Sequence, residues 1–353
     1  MITDDEAVEL LYEMVAIPSP SGGEAKLAGY LCDRLAGLGF DSRIDEVGNV
    51  IADIGTGDGP TLMLLSHLDT VDGPIPAHRD RTTVYGRGSV DAKGPLAAMV
   101  CAAARRADFP GTLRIAAAVE EERLARGGHH IAATQPAPDL LLVGEPGGTD
   151  SVVLGYKGKL DLTYEVRCAA THSTNPVPKA GELAVAFWAQ VGAALGGDLD
   201  HGSFHRPAAT LRSLTATMEH ALLDVDCRLP PGFDVEAFRS ALDPGTGELT
   251  IHRWIPAVRA ARTNPLARAL SAGIRRTGGT PRPTLKTGTS DMNTVAPSWP
   301  SLPMAAYGPG NATLDHSPTE HLPIADYLRA IAVLTHTVDE LSHGLESRRH
   351  RSV

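Results

Sequence analysis

Thr61-Leu62-Met63-Leu64-Leu65-Ser66-His67-Leu68-Asp69-Thr70 is a short apolar run that stops abruptly on an imidazole and a carboxylate. A run of this length without alternation suits a strand covered on both faces, as in a parallel sheet. Two more of the kind follow: Thr112–Val119 runs into Glu120-Glu121-Glu122, and Asp139–Val143 into Gly144-Glu145-Pro146. Between the first two lies an alanine-rich helical stretch, roughly 95–107, with Pro95 at a tolerated first-turn position. This order predicts α/β layering. In an open sheet of that class, ligands collect beyond the carboxyl ends of the strands. All three runs place metal-binding residue types there.

Upstream, Thr3 and Glu6 form a capping box for a first helix with Val8, Leu11, Tyr12 and Val15 on one face. Ser21 and Glu24 read as a second box, for a helix carrying Leu27, Leu31, Leu35 and Leu38. Strands are expected near 40–45 and 50–54. From Lys159 the texture changes. Strand 161–168, helix 182–195, strands 208–218 and 221–228, helix 234–242 and strand 248–254 spell β-α-β-β-α-β, a ferredoxin-like α+β sandwich. After Asn264-Pro265 the α/β texture resumes with a helix to about 276, a strand at 304–307 and a helix from 324. The expected organisation is a discontinuous α/β domain, 1–158 and 263–353, interrupted by an inserted domain, 159–262. The tail 346–353, with Arg348, Arg349, His350 and Arg351, reads as a solvated end.

Across 353 residues, 42 acidic against 32 basic side chains give a formal charge of −10. That balance argues against a general nucleic-acid binder, which needs a basic face, and leaves room for local basic patches and so for an acidic partner. No apolar run approaches the ~20 residues of a membrane span. The acidic N-terminal stretch suits neither a secretory nor a transit signal. Cys32, Cys101, Cys168 and Cys227 are far apart and form no CxxC pair, so they read as reduced thiols of a cytoplasmic protein.

Carboxylates and imidazoles converging at strand ends repel or sit unpaired unless a cation neutralises them. The loop Gly86-Arg87-Gly88-Ser89-Val90-Asp91-Ala92-Lys93-Gly94 adds Asp91 just before the alanine-rich helix. Hard carboxylates with histidine and no thiolate favour a hydrolytic, zinc-like site over a structural one. Neither a G-x-S-x-G elbow nor an H-E-x-x-H helix is present.

His67-Leu68-Asp69-Thr70-Val71, Gly86-Arg87-Gly88 with Asp91 and Lys93, the Glu-Glu pair, Gly144-Glu145-Pro146 and Asp315-His316-Ser317-Pro318 follow one another in this order. Together they resemble the co-catalytic zinc aminoacylases and carboxypeptidases, the family of acetylornithine deacetylase, succinyl-diaminopimelate desuccinylase and glutamate carboxypeptidase. The resemblance spans essentially the whole chain. It implies a zinc-peptidase-like α/β catalytic domain, an inserted lid and dimerisation domain, and a homodimer. It implies two zinc ions, replaceable by cobalt: one held by His67, Asp91 and Glu145, the other by Asp91, Glu122 and His316. Asp69 would orient His67 through its other ring nitrogen. The family shows Asp-Glu-Glu where this chain has three glutamates, so two registers are open. Aligning Gly127 with a family glycine makes Glu121 the general base and Glu122 the ligand; the other register uses Glu120 and Glu121. By the same resemblance His172 stabilises the oxyanion, and Arg228 in Asp226-Cys227-Arg228-Leu229-Pro230 clamps a substrate carboxylate.

Lys286-Thr287-Gly288-Thr289-Ser290-Asp291-Met292-Asn293 and Tyr307-Gly308-Pro309-Gly310 resemble a narrower branch. Its members are lysine and ornithine hydrolases acting on an amino-group carrier protein, which release the amino acid from an isopeptide bond to the carrier's C-terminal glutamate. Lys286, Thr287, Gly288, Thr289 and Ser290 are the substrate-binding candidates this implies. Asn311 stands where that branch leads one to expect aspartate. An acidic carrier calls for a basic docking surface, with Arg79, Arg81, Arg87, Lys157, Lys159 and Lys286 as candidates. The competing functions are deacylation of a free N-acyl amino acid of the acetylornithine or acetyllysine type, dipeptide hydrolysis, and a catalytically silent binding protein. Retention of every expected ligand and both candidate bases argues against the last.

Overall fold

The three apolar runs form the middle of one sheet. The structure, a computed structural model, describes residues 2–349, with side chains to residue 343. The basic side chains of the tail at 346–353 lie outside the described residues. Thr61–His67 pairs in parallel with Thr112–Ala118 and Leu140–Val143, and Met304–Ala306 pairs in parallel with the latter. Antiparallel strands extend both sides: Val50–Ile54 and Asp41–Ile44 next to Thr112–Ala118, and Ser151–Tyr156 next to Met304–Ala306. Residues 62–67 are buried without interruption, the reason the run shows no alternation. The register sets His67 opposite Ala118 and Leu65 opposite Val143. The segments leading to Glu120 and Glu145 therefore leave the sheet at the level of His67.

The helix Lys93–Arg105 is buried at every residue from Lys93 to Ala103. Its run of alanines lets Asp4–Ala16 and Ile324–Arg349 pack directly against it. Among the described residues, no helix is long and apolar enough to cross a membrane.

The chain divides into two compact units: Met1–Leu154, Ala260–Thr284 and Ser290–Val353 in one, Gly155–Arg259 with Leu285–Thr289 in the other. The return of 285–289 to the second unit has no counterpart in the sequence reading. That unit is an antiparallel sheet in the order Ala208–Ala216, His220–Leu229, Gly158–Arg167, Glu248–Ile255, the strand order of a ferredoxin-like sandwich. Its helices Ala180–Ala194 and Val235–Ser240 supply Ala184, Phe187, Val191 and Phe238 to a core shared with Leu160, Leu162, Leu223 and Val225. Tyr164 and Phe187 stack at 4.1 Å. The unit's two ends meet: Gly155 pairs with Arg259 and Tyr156 with Val258.

One local expectation fails. The helix Ala25–Gly37 has Glu24 at its N-cap with no side-chain capping bond. Ser21 is drawn instead to Asp69, and Glu24 to the N–H groups of Gly22 and Glu120.

Candidate active site

His67 closes its strand fully buried, and its Nε2 lies 3.2 Å from Asp91 Oδ1. Asp91's other oxygen, Oδ2, lies 3.3 Å from His316 Nε2, which is also 2.9 Å from Glu122 Oε1. A single carboxylate thus spans two imidazoles. His67, Asp91 and Glu122 each bring a donor atom to within 4.8 Å of the others. His316 holds a left-handed backbone, φ +59°, which a non-glycine residue adopts only under restraint. Asp91 comes from the glycine-rich loop. At Gly88, φ is +84° and a Cβ would fall 2.8 Å from Thr70 Cγ2, so glycine is required by both conformation and space.

Asp69 organises the glutamate turn. Its Oδ1 accepts the N–H of Glu121 at 3.0 Å, and its Oδ2 accepts that of Glu122 at 3.1 Å and the Ser21 hydroxyl at 2.6 Å. His67 Nδ1 meets the Asp69 backbone carbonyl at 2.9 Å, with the carboxylate further off at 3.4 Å. Glu24 Oε1 accepts the N–H groups of Gly22 and Glu120, at 2.9 and 3.1 Å. Glu120 itself is left-handed, φ +57°, and its carboxylate is held by Arg126 at 2.9 Å. Gly127 closes the turn where a Cβ would meet Asn49 Oδ1 at 2.3 Å. Replacing Asp69 by asparagine is expected to set an NH2 group against one of the two buried N–H donors. Stability should fall by about 1–3 kcal/mol, the usual cost of a stranded buried polar group. Urea unfolding of the metal-free protein measures it, and an unchanged midpoint would remove Asp69 from this role.

The electrostatics of the cluster ask for positive charge. Burial, with the charges of Asp91 and Glu121, pushes Glu145 well above the ordinary carboxylate range. Burial, with Asp291, Glu122 and Asp69, does the same to Glu121. Burial opposes a proton on His67, yet hydrogen bonds to Asp69 and Asp91 raise it well above a normal imidazole. Bonds to Asp91 and then Glu122 push His316 up to about 10. The donor set, two imidazoles with hard carboxylates, fits divalent metal ions. Asp291, buried beside Glu121 and Glu145, was not among the expected residues; it starts the helix Asp291–Val295, whose capping box Ser290–Asn293 was its available sequence signal.

The remaining candidates lie in the second unit, apart from Ser290. His172 is exposed; its Nδ1 accepts the Thr174 N–H at 3.3 Å and lies 2.8 Å from Thr174 Oγ1. With Nδ1 accepting, the neutral ring carries its proton on Nε2, a donor. Arg228 Nε donates to Asp226 Oδ1 at 2.7 Å and its Nη1 to Thr289 Oγ1 at 3.2 Å. Arg228, Thr287 and Gly288 line a cavity of about 520 Å³ together with Lys159, His201 and Arg212. The Lys286 carbonyl accepts the Lys157 N–H at 3.2 Å. Ser290 is buried, and its hydroxyl caps the helix Asp291–Val295. The basic docking candidates fare unevenly. Lys157 is wholly buried, and Arg87 is bound to Glu320 at 2.8 Å. Lys159 lies between Asp161 and Asp226, and Arg79 pairs with Glu9 at 2.6 Å. Paired in this way, Arg79, Arg87 and Lys159 add little to a steering patch, while Arg81 is exposed.

A parallel sheet thus gathers imidazoles and carboxylates, a donor set for divalent metal, beyond its strand ends. The family model of peptidase family M20/M25/M40 matches residues 63–340, and the chain belongs to that family. The LysW-lysine hydrolase of Deinococcus radiodurans is 40% identical over 96% of this chain and 98% of its own. The fold is that of the M20 metallo-carboxypeptidase Sso-CP2 from Sulfolobus solfataricus, with a TM-score of 0.80 at 20% identity over 96% of this chain and 99% of that one. It is also that of the Bacillus subtilis YXEP protein, a dinuclear metal-binding peptidase, with a TM-score of 0.68 at 13% identity over 95% and 97%.

Proposed function

We propose that the protein hydrolyses an isopeptide bond, releasing lysine, ornithine or a related basic amino acid from the C-terminal glutamate of an acidic amino-group carrier protein. The observation that carries this reading is the Asp91 carboxylate between His67 and His316, with Glu122 in the same cluster. The choice of substrate is supported by the Deinococcus relative, whose name couples LysW to lysine, and by the Lys286–Asn293 motif. In this reading the active form is a homodimer.

His67, Asp91 and Glu145 would hold one zinc ion, and Asp91, Glu122 and His316 the other. The chemistry such a pair supplies is Lewis acidity, which polarises a carbonyl oxygen and brings the pKa of water from ~16 towards 7. Glu121 takes the proton from the attacking water onto its carboxylate and returns it to the amine nitrogen as the C–N bond breaks. The buried surroundings that raise its proton affinity suit the second half of that task. The His172 Nε2–H donates to the oxyanion. Arg228, oriented by Asp226 and Thr289, pairs with a substrate carboxylate, Thr287 and Gly288 line the same cavity, and Lys286 is the adjoining substrate-binding candidate.

Incubation with a lysine- or ornithine-loaded carrier and, separately, with acetylornithine tests the substrate, followed by mass spectrometry. The conjugate should lose its amino acid, and dialysis against a strong chelator should abolish this until zinc or cobalt is restored. Efficient cleavage of acetylornithine with none of the conjugate would overturn the carrier reading. Undiminished activity after chelation would overturn the metal reading.

A further inference from the structure

Glu320 follows His316 by four positions, immediately before the strand His321–Pro323, and is 1% exposed. Its Oε1 accepts two successive backbone N–H groups, those of Val90 at 2.8 Å and Asp91 at 3.1 Å. Its Oε2 accepts Arg87 Nη1 at 2.8 Å. The same Arg87 nitrogen donates to the Ser317 carbonyl at 3.1 Å, and Arg87 Nε to the Gly73 carbonyl at 3.1 Å. Gly86 N–H donates to the Glu320 carbonyl at 3.2 Å, and Tyr85 pairs with His321 in an antiparallel bridge. Strand pairing and backbone hydrogen bonds join the segment that bears His316 to the loop that bears Asp91, and the Glu320 carboxylate carries that join to the Val90 and Asp91 N–H groups themselves.

We propose that Glu320 is the positioning residue for the metal pair, holding the Asp91 backbone in register with His316. The inference rests on Asp91 being the bridging ligand. A bridging carboxylate has both oxygens committed to ions, so its orientation has to be set through its own main chain. Two N–H donors bound to one Glu320 oxygen fix the peptide planes at Val90 and Asp91, which leaves the Asp91 side chain little freedom to turn. Arg87 lies 2.8 Å from this buried carboxylate and supplies its counter-charge. A shift of the loop would carry one Asp91 oxygen away from its imidazole while the other stayed in reach, loosening one ion before the other.

The test is cobalt titration of the metal-free full chain, read by the visible d–d spectrum and by metal analysis after gel filtration. Wild type should take up cobalt and give a coordination spectrum. Glu320→Ala should bind about 10–100-fold more weakly, the range usual for groups that orient metal ligands, with an altered spectrum. Glu320→Gln keeps an oxygen for the two N–H donors and should hold a near-wild-type spectrum, while Tm falls because Arg87 has lost its counter-charge. A lower Tm in Glu320→Ala with unchanged cobalt affinity and spectrum would reduce Glu320 to a buried ion pair and overturn the proposal. Should Glu320→Ala fail to fold, Glu320→Asp, one methylene short of the N–H pair, is read in the same way and against the same outcome. Wild type that binds no cobalt would overturn the metal-centre reading instead.

Discussion

Alanine at position 91 is expected to leave a folded protein that retains neither ion and hydrolyses no amide. Asp91 meets both imidazoles, through Oδ1 to His67 and Oδ2 to His316. Without it His67 keeps Asp69 and His316 keeps Glu122, so each half of the site survives as a fragment. Two divalent ions a few ångströms apart repel strongly, and a shared carboxylate is what offsets that repulsion. Metal analysis after gel filtration should find the ions lost, and turnover should drop to the level of chelated wild type. Far-UV circular dichroism should be unchanged, since the side chain lies outside the apolar core. A metal-replete, fully active Asp91→Ala enzyme would end the bridging assignment.

Glutamine at position 121 should do the opposite: leave metal content near normal and lower kcat by about 10²–10⁴-fold, the usual contribution of a positioned general acid–base. KM should change little, because the amide keeps the size and shape of the carboxyl group. The neighbours supply controls. Glu122→Gln should lose metal, since Glu122 belongs to the donor cluster with His67 and Asp91. Glu120→Gln should lose neither metal nor turnover, because its carboxylate is spent on Arg126 at the surface, a pair worth about 0–1 kcal/mol. If Glu120→Gln carries the kcat loss and Glu121→Gln the metal loss, the base is Glu120.

The strand ends were legible because burial on both faces leaves unbroken apolar runs, and Thr61–His67 and Thr112–Ala118 follow theirs closely. The ferredoxin-like order was legible for a related reason. Its strands, helices and turns alternate over short distances, so each boundary falls near a local signal such as Asp234, whose side chain caps Val235–Ser240. Ser21 and Glu24 misled because they spell a capping box, yet Ser21 binds Asp69, and Glu24 accepts the Glu120 N–H as well as that of Gly22. Glu320 was invisible for the same reason, since Val90 and Asp91 lie more than two hundred residues before it. The register of the glutamates could be argued only by alignment with Gly127. The backbone sets the three apart, with Glu120 left-handed and the N–H groups of Glu121 and Glu122 bound to Asp69.

The pairing of Gly155 with Arg259 and of Tyr156 with Val258 bears on how such an architecture arises. For the surrounding chain, an excursion of roughly a hundred residues ordinarily carries a loop-closure penalty larger than that of a four-residue turn by about 3 kcal/mol, at ~0.6 kcal/mol per doubling of length. Here the excursion begins and ends on two residues that pair with each other, and its hydrophobic core is its own. Once that core has formed, the polymer between Leu154 and Ala260 is as short, in entropic terms, as a hairpin turn. An ancestral turn at this point could accept a whole folded module with little loss to the sheet around it. Length within the module is then free to drift, while the four boundary residues are not.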